Sequence, residues 1–133
     1  MKEFSTKWKA SKQPRKQRKY LAKAPIHIKK KFISINLTKE LRSKHGIRSI
    51  SSRKGDRVEI KRGKFKGKRG KISEIKLKTS KIFVEGIQAK KQDGSKVNIA
   101  LQPSNLQITE LNLEDKMRIK KLKTKEKTEE NKK

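Results

Sequence analysis

Cysteine does not occur among the 133 residues, which excludes a disulfide framework, a thiolate nucleophile and a Cys-type zinc site. Acidic residues are scarce: 13 Asp and Glu stand against 41 Lys and Arg, leaving a net charge of +28. That excess is far beyond what solubility requires, and the chain repels itself unless a polyanion neutralises it. No apolar run approaches the roughly 20 residues of a membrane span. The N-terminal MKEFSTKWKASK lacks the apolar core of a secretory signal, so the protein is expected to stay in the compartment where it is made. Hydrophobic residues make up 29% of the chain, and one folded body of about sixty to seventy residues is the most this supports. His27 and His45 are the only histidines, and neither has a His or Cys at i+4 to share a metal. Asp56 and Glu59 fall on opposite faces of their strand, where pairing with Arg57 or Arg62, or service to the turn, is expected rather than acid–base work. No GxxxxGK[ST] phosphate loop occurs. Neither enzymatic activity nor a cofactor, metal or small-molecule substrate is expected.

What the chain does have is concentrated in residues 54–75, KGDRVEIKRGKFKGKRGKISEI. Val58 and Ile60 alternate with charged residues as in a half-buried strand, and Ile75 and Leu77 do so again after a loop. Between them, Lys61 to Lys71 contains seven Lys or Arg and no acid. Gly63, Gly67 and Gly70 are expected to take positive φ and to bring the backbone close to a partner. A solvated hairpin is the bland alternative, and the charge of the whole chain argues against it.

Around this unit the chain divides into four parts. Residues 1–33 hold twelve Lys or Arg and one acid, Glu3; with Pro14 and Pro25 interrupting any helix, they read as an extended basic arm. Trp8 and Tyr20 within it either stack on unpaired bases or pack back on the body. Residues 34–50 read as a short helix and linker, with Asn36 as N-cap, Leu37 and Leu41 on one face and Gly46 as the left-handed stop. Its cations are either a solvated face or a further RNA contact. The body is expected over 51–113, where Ile82 and Val84, Ile87 and Ala89, and Val97, Ile99 and Leu101 alternate around the Asp93-Gly94 turn. After Pro103-Ser104-Asn105, Leu106, Ile108 and Leu111 make a last strand. Five or six short strands with tight turns point to a mainly β fold, a small partly open barrel. Residues 114–133 read as a frayed helix passing into a disordered charged tail.

The run GDRVEIKRGKFKGKRGKISEI resembles a KOW motif, the strand-loop-strand of SH3-like barrels in ribosomal proteins and transcription elongation factors. Five further segments narrow the resemblance: SKQPRKQRK at 11–19, APIHIKKK at 24–31, LTKELRSKHGIRS at 37–49, VEGIQAKKQDGSKV at 84–97 and PSNLQITELNLED at 103–115. In that order they resemble the archaeal and eukaryotic form of the large-subunit ribosomal protein twenty-four family, protein twenty-six in eukaryotic nomenclature. The resemblance implies a structural constituent of the cytoplasmic large ribosomal subunit that binds large-subunit ribosomal RNA beside neighbouring ribosomal proteins. It also implies a place near the peptide exit tunnel and an early role in assembly. By motif, the implied RNA contacts are Lys12, Arg15, Lys16 and Arg18 in the arm, then His27, Lys29 and Lys30, and Arg53 and Lys54 at the barrel entrance. Lys61, Arg62, Gly63, Lys64, Phe65, Lys66, Gly67 and Lys68 in the loop, with Ser104 and Asn105 in the last turn, complete the set. Lys23, Lys29 and Gln102 depart from the family's usual asparagine, arginine and histidine. A KOW-type elongation factor is the alternative, and it would carry an additional polymerase-binding domain.

Overall fold

The computed structural model describes residues 4–5, 11–119 and 122. Trp8 and most of the expected tail lie outside the described residues. In chain order the elements are α1 (Pro14–Lys23), α2 (Ile26–Phe32), β1 (Ser34–Leu37), α3 (Lys39–His45), β2 (Ser49–Ser51), β3 (Arg57–Ile60), β4 (Arg69–Lys76), β5 (Lys81–Val84), β6 (Gln88–Lys90) and β7 (Lys96–Asn98). A 3-10 turn at Pro103–Asn105 then leads into β8 (Leu106–Glu110).

Between Pro14 and Phe32 the basic arm is helical rather than extended, which makes the fold mixed instead of mainly β. Both prolines were expected to interrupt helices, and both start them. Pro14 occupies the first turn of α1 and Pro25 is the N-cap of α2, positions where a missing N–H costs nothing and a fixed φ is already helical. Asn36 is not an N-cap either. It lies inside β1, and Thr38 caps α3 by accepting a bond from the Leu41 N–H at 3.5 Å. Gly46 ends α3 in the left-handed conformation, φ 58°, as expected.

Six strands form one sheet in the order β2-β1-β8-β3-β4-β5, and β6 pairs with β7 in a separate hairpin. The sheet therefore begins at Ser34, earlier than the expected start at Ser51. β8 pairs parallel with β1, Asn36 facing Gln107, and antiparallel with β3, Val58 facing Ile108. Beyond β5, Ile82 and Leu101 exchange two backbone hydrogen bonds of 2.8 and 3.0 Å. The core is aliphatic: Ile35, Leu37, Val58, Ile60, Ile72, Ile82, Val84, Ile87, Leu101, Leu106 and Ile108 form one buried cluster. These are mostly β-branched side chains that suit a pleated sheet.

Gly63 and Gly67 have φ of 96° and 84°, as expected, whereas Gly70 does not have positive φ. Gly70 lies in β4 opposite the end of β5, and a Cβ there would fall 2.7 Å from both the Glu85 carbonyl oxygen and Val84 Cγ1. The close partner of this glycine is the protein's own backbone. Gly70→Ala is expected to cost about 1–3 kcal/mol, because β4 and β5 must separate to admit the methyl group. A thermal melt checks this, and an unchanged melting temperature would show that the backbone at Glu85 yields freely.

Candidate nucleic-acid interface

The basic loop leaves β3 and returns in β4 as a closed turn. Ile60 and Lys68 pair across its base, the Ile60 N–H donating to Lys68 at 2.9 Å, and the Gly67 N–H donates to the Ile60 carbonyl at 2.8 Å. Phe65 is half-buried and packs against the core, so the ring anchors the loop from below, with the Lys68 ammonium 5.5 Å from its centroid. The outward positions are then cationic. Lys61, Arg62, Lys64, Lys66 and Lys68 are exposed, as are Gly63 and Gly67.

The loop cations are not equivalent. Lys61 is paired with Glu59 at 2.5 Å, and Arg69 reaches the same carboxylate at 3.1 Å. The hydrogen bond from Lys61 holds the Glu59 carboxyl below the usual carboxylate range, with the charges of Lys61 and Arg69 acting in the same sense. Arg62, Lys64 and Lys66 have no carboxylate partner among the described residues. Their positive field is therefore uncompensated locally. The Lys61 N–H also donates to the Asn105 carbonyl at 2.8 Å, which brings the turn carrying Ser104 and Asn105 beside the loop.

Arg53 and Lys54 belong to a second group, at the other end of β3. Both are exposed, and Arg53 pairs with Asp115 at 2.5 Å. The arm meets the body on this side. The Ser52 hydroxyl donates to the Ile33 carbonyl at 2.9 Å, and Ser51 Oγ reaches the Lys30 carbonyl at 3.4 Å, tying the end of α2 to β2. Within the arm, Tyr20 lies between Phe4 and Phe32, with ring centroids 4.9 and 5.9 Å away. Tyr20 thus packs on rings of its own arm, whereas the expected packing partner was the body. Tyr20 and Ala24 share one face of α1 by helical spacing, leaving Lys12, Arg15, Lys16 and Arg18 exposed. His27 and Lys30 are also exposed. Lys29 is half-buried and donates to the Ala22 carbonyl at 3.1 Å, so its ammonium already has an internal partner.

Neither acid pairs with Arg57 or Arg62, whereas Asp56 does serve the turn, its carboxylate accepting from the Arg53 N–H at 2.9 Å. Glu59 holds Lys61 and Arg69, Arg57 binds Glu110 at 3.2 Å, and Asp56 is buried against Arg118 at 2.6 Å. Arg118 had no role in the sequence reading, because one arginine in a segment dense with Lys and Glu carries no mark. Its only signal is that Leu122, four residues on, is buried on the same helical face.

No group of three or more His, Asp or Glu among the described residues is arranged to hold a metal ion, and no described helix is long and apolar enough to cross a membrane. Comparison with known proteins agrees with the motif order. Residues 11–125 match the family described as the ribosomal proteins L26 of eukaryotes and their archaeal L24 counterparts. The chain is 46% identical over 108 residues to large ribosomal subunit protein uL24 of Methanosphaera stadtmanae, covering 81% of this chain and 92% of that one. It is also 46% identical over 108 residues to the uL24 protein of Korarchaeum cryptofilum, covering 81% and 82%. Because the match runs through the arm, the basic loop and the last strand alike, the chain belongs to the family of eukaryotic L26 and archaeal L24 ribosomal proteins.

Proposed function

We propose that this protein is a structural, non-enzymatic constituent of the cytoplasmic large ribosomal subunit, and that it grips large-subunit ribosomal RNA with the 61–68 loop and the basic arm. The observation that carries the RNA contact is the set of loop cations Arg62, Lys64 and Lys66, exposed on a turn pinned by Phe65 and lacking acidic partners among the described residues. Helical RNA presents phosphates and a shallow minor groove that proteins read by shape. A rigid turn with unneutralised cations fits that surface, and each phosphate contact releases counterions. The Ser104–Asn105 turn sits on the same side, while the arm and the Arg53–Lys54 turn form the second contact region. In this reading the sheet is an SH3-like KOW barrel, for which the Ile82–Leu101 bridge and the bulge in the β4–β5 pairing are supporting features. The arm ends at residue 33, the body runs to 113, and residues 114–133 follow it. A position near the peptide exit tunnel and an early assembly role belong to the same proposal.

Sedimentation tests the assignment: the protein is expected to co-migrate with the large subunit at physiological salt, and migration as free protein there would overturn it. The loop is tested by Lys64→Gln with Lys66→Gln. Exposed cations add little to the stability of a body that already repels itself, so the melting temperature should stay unchanged. RNA affinity should fall and its dependence on log salt become shallower by about two units, one per phosphate. Parent-like binding with an unchanged slope would pass the role to the arm.

A further inference from the structure

The turn that presents Arg53 and Lys54 is built over a buried knot. Asp56 is fully buried, and its carboxylate accepts four hydrogen bonds. The Arg53 and Asn112 backbone N–H groups donate at 2.9 Å each, and the two terminal nitrogens of Arg118 donate at 2.6 and 2.8 Å. Arg118 also donates to the Asn112 carbonyl at 2.9 Å and reaches the Ser51 carbonyl at 3.5 Å. Asn112 closes on the same turn, since a Cβ on Gly55 would fall 2.6 Å from its Nδ2. Asp115, from the same C-terminal segment, holds the Arg53 side chain.

A planar guanidinium fork fixes a carboxylate in orientation as well as in charge. Asp56 in turn fixes the Arg53 backbone. Ser51 belongs to the strand on which α2 docks, so the same fork spans the junction between arm and body. Buried ion pairs are often replaceable by apolar side chains without loss of stability, which leaves orientation as the distinctive contribution of this one.

We propose that Arg118 is a positioning residue for RNA binding: through Asp56 and Ser51 it holds the Arg53–Lys54 turn in register with the arm, although at 6% exposure it is itself out of reach of a ligand. This rests on the RNA-binding reading of Arg53 and Lys54 given above. The C-terminal segment is then part of the binding machinery by support rather than by contact.

Titrations of the full-length protein with a large-subunit ribosomal RNA transcript at several salt concentrations test the proposal. The variants are Arg118→Met, the pair Arg53→Gln with Lys54→Gln, and all three changes together. Arg53→Gln with Lys54→Gln should weaken binding and make the salt slope shallower by about one to two units, the second depending on whether Arg53 exchanges Asp115 for phosphate. Arg118→Met, measured well below its melting temperature, should make the slope shallower by about one to two units and add nothing in the Arg53/Lys54 background, the non-additivity expected of groups acting as one unit. Parent-like RNA binding by Arg118→Met, or a full additive effect in that background, would overturn the proposal while leaving the RNA reading in place. If the Arg53/Lys54 pair itself binds like the parent, the underlying reading falls and this inference with it. Should Arg118→Met fail to fold, Arg118→Lys keeps the charge without the fork. There, faster hydrogen exchange at the Arg53 amide together with weaker RNA binding supports the proposal, and faster exchange with unchanged binding overturns it.

Discussion

Asp56→Ala is expected to destabilise the protein by about 3–5 kcal/mol, the cost of leaving a buried charge without its partner. Against the roughly 5–15 kcal/mol that separates folded from unfolded domains, this is enough to unfold a large fraction of the molecules at moderate temperature. The reason is the environment of Arg118. Its side chain is 4% exposed, and among the described residues its Nε already lacks a partner and Asp56 is the only carboxylate bound to it. The Arg53 and Asn112 N–H groups lose their acceptor in the same step. Replacing both ends, Asp56→Ala with Arg118→Met, should recover much of the loss, because no buried charge then remains. Urea denaturation of the two variants decides the matter. A cost below about 1 kcal/mol for Asp56→Ala would mean that the guanidinium escapes to water and that the knot contributes little.

Affinity for large-subunit ribosomal RNA is expected to fall by about 10³ or more between 50 and 200 mM salt, if six or more phosphates are contacted as on duplex DNA. The structure supplies enough cations for that number. Lys12, Arg15, Lys16, Arg18, Lys54, Arg62, Lys64 and Lys66 are exposed and have no ion-pair partner among the described residues. Rings offer less: Phe65 faces the core and Tyr20 packs between Phe4 and Phe32. Filter-binding titrations at four or five salt concentrations give the slope directly. A flat dependence would place the affinity in apolar or base-edge contacts and overturn the electrostatic account.

The basic loop was legible because its signals are local: alternation at Val58 and Ile60, glycines at 63 and 67, and a run of cations without acids. The Asp93-Gly94 turn and the final Leu106-Ile108 strand were legible for the same reason. Misreadings arose where one residue type serves two opposite purposes. Proline breaks a helix from within and starts one from its first turn or its N-cap, as Pro14 and Pro25 respectively do. Ile33, Ile35 and Leu37 alternate with polar residues as a strand does, yet Asn36 looked like a cap and drew the helix two residues too early. Gly70 was grouped with its neighbours as a turn glycine, when it is a strand position that the backbone at Glu85 crowds. The Asp56–Arg118 pair was beyond reach, since a buried partner 62 positions away has no local pattern. At the interface, the identities of the cations could be read along the chain, but not which of them were neutralised. Only the folded arrangement shows Lys61 and Arg69 sharing Glu59, and Lys29 turned to the Ala22 carbonyl.

The place of β8 in the sheet bears on how the molecule reaches its folded state. β3, β4 and β5 follow one another as a meander and can pair as they emerge, and β1 and β2 form a local antiparallel unit around α3. Among the described residues, no strand hydrogen-bonds these two groups to each other except β8, which enters between β1 and β3. The last strand described is thus a central one. Until it arrives, both halves present open edges to solvent, and joining them demands loop closure between segments as distant as Asn36 and Gln107. That kind of long-range pairing is slow compared with local turns. Completion of the sheet therefore waits until β8 has been synthesised, and a chain cut short before Leu106 leaves two strand groups with no sheet to unite them.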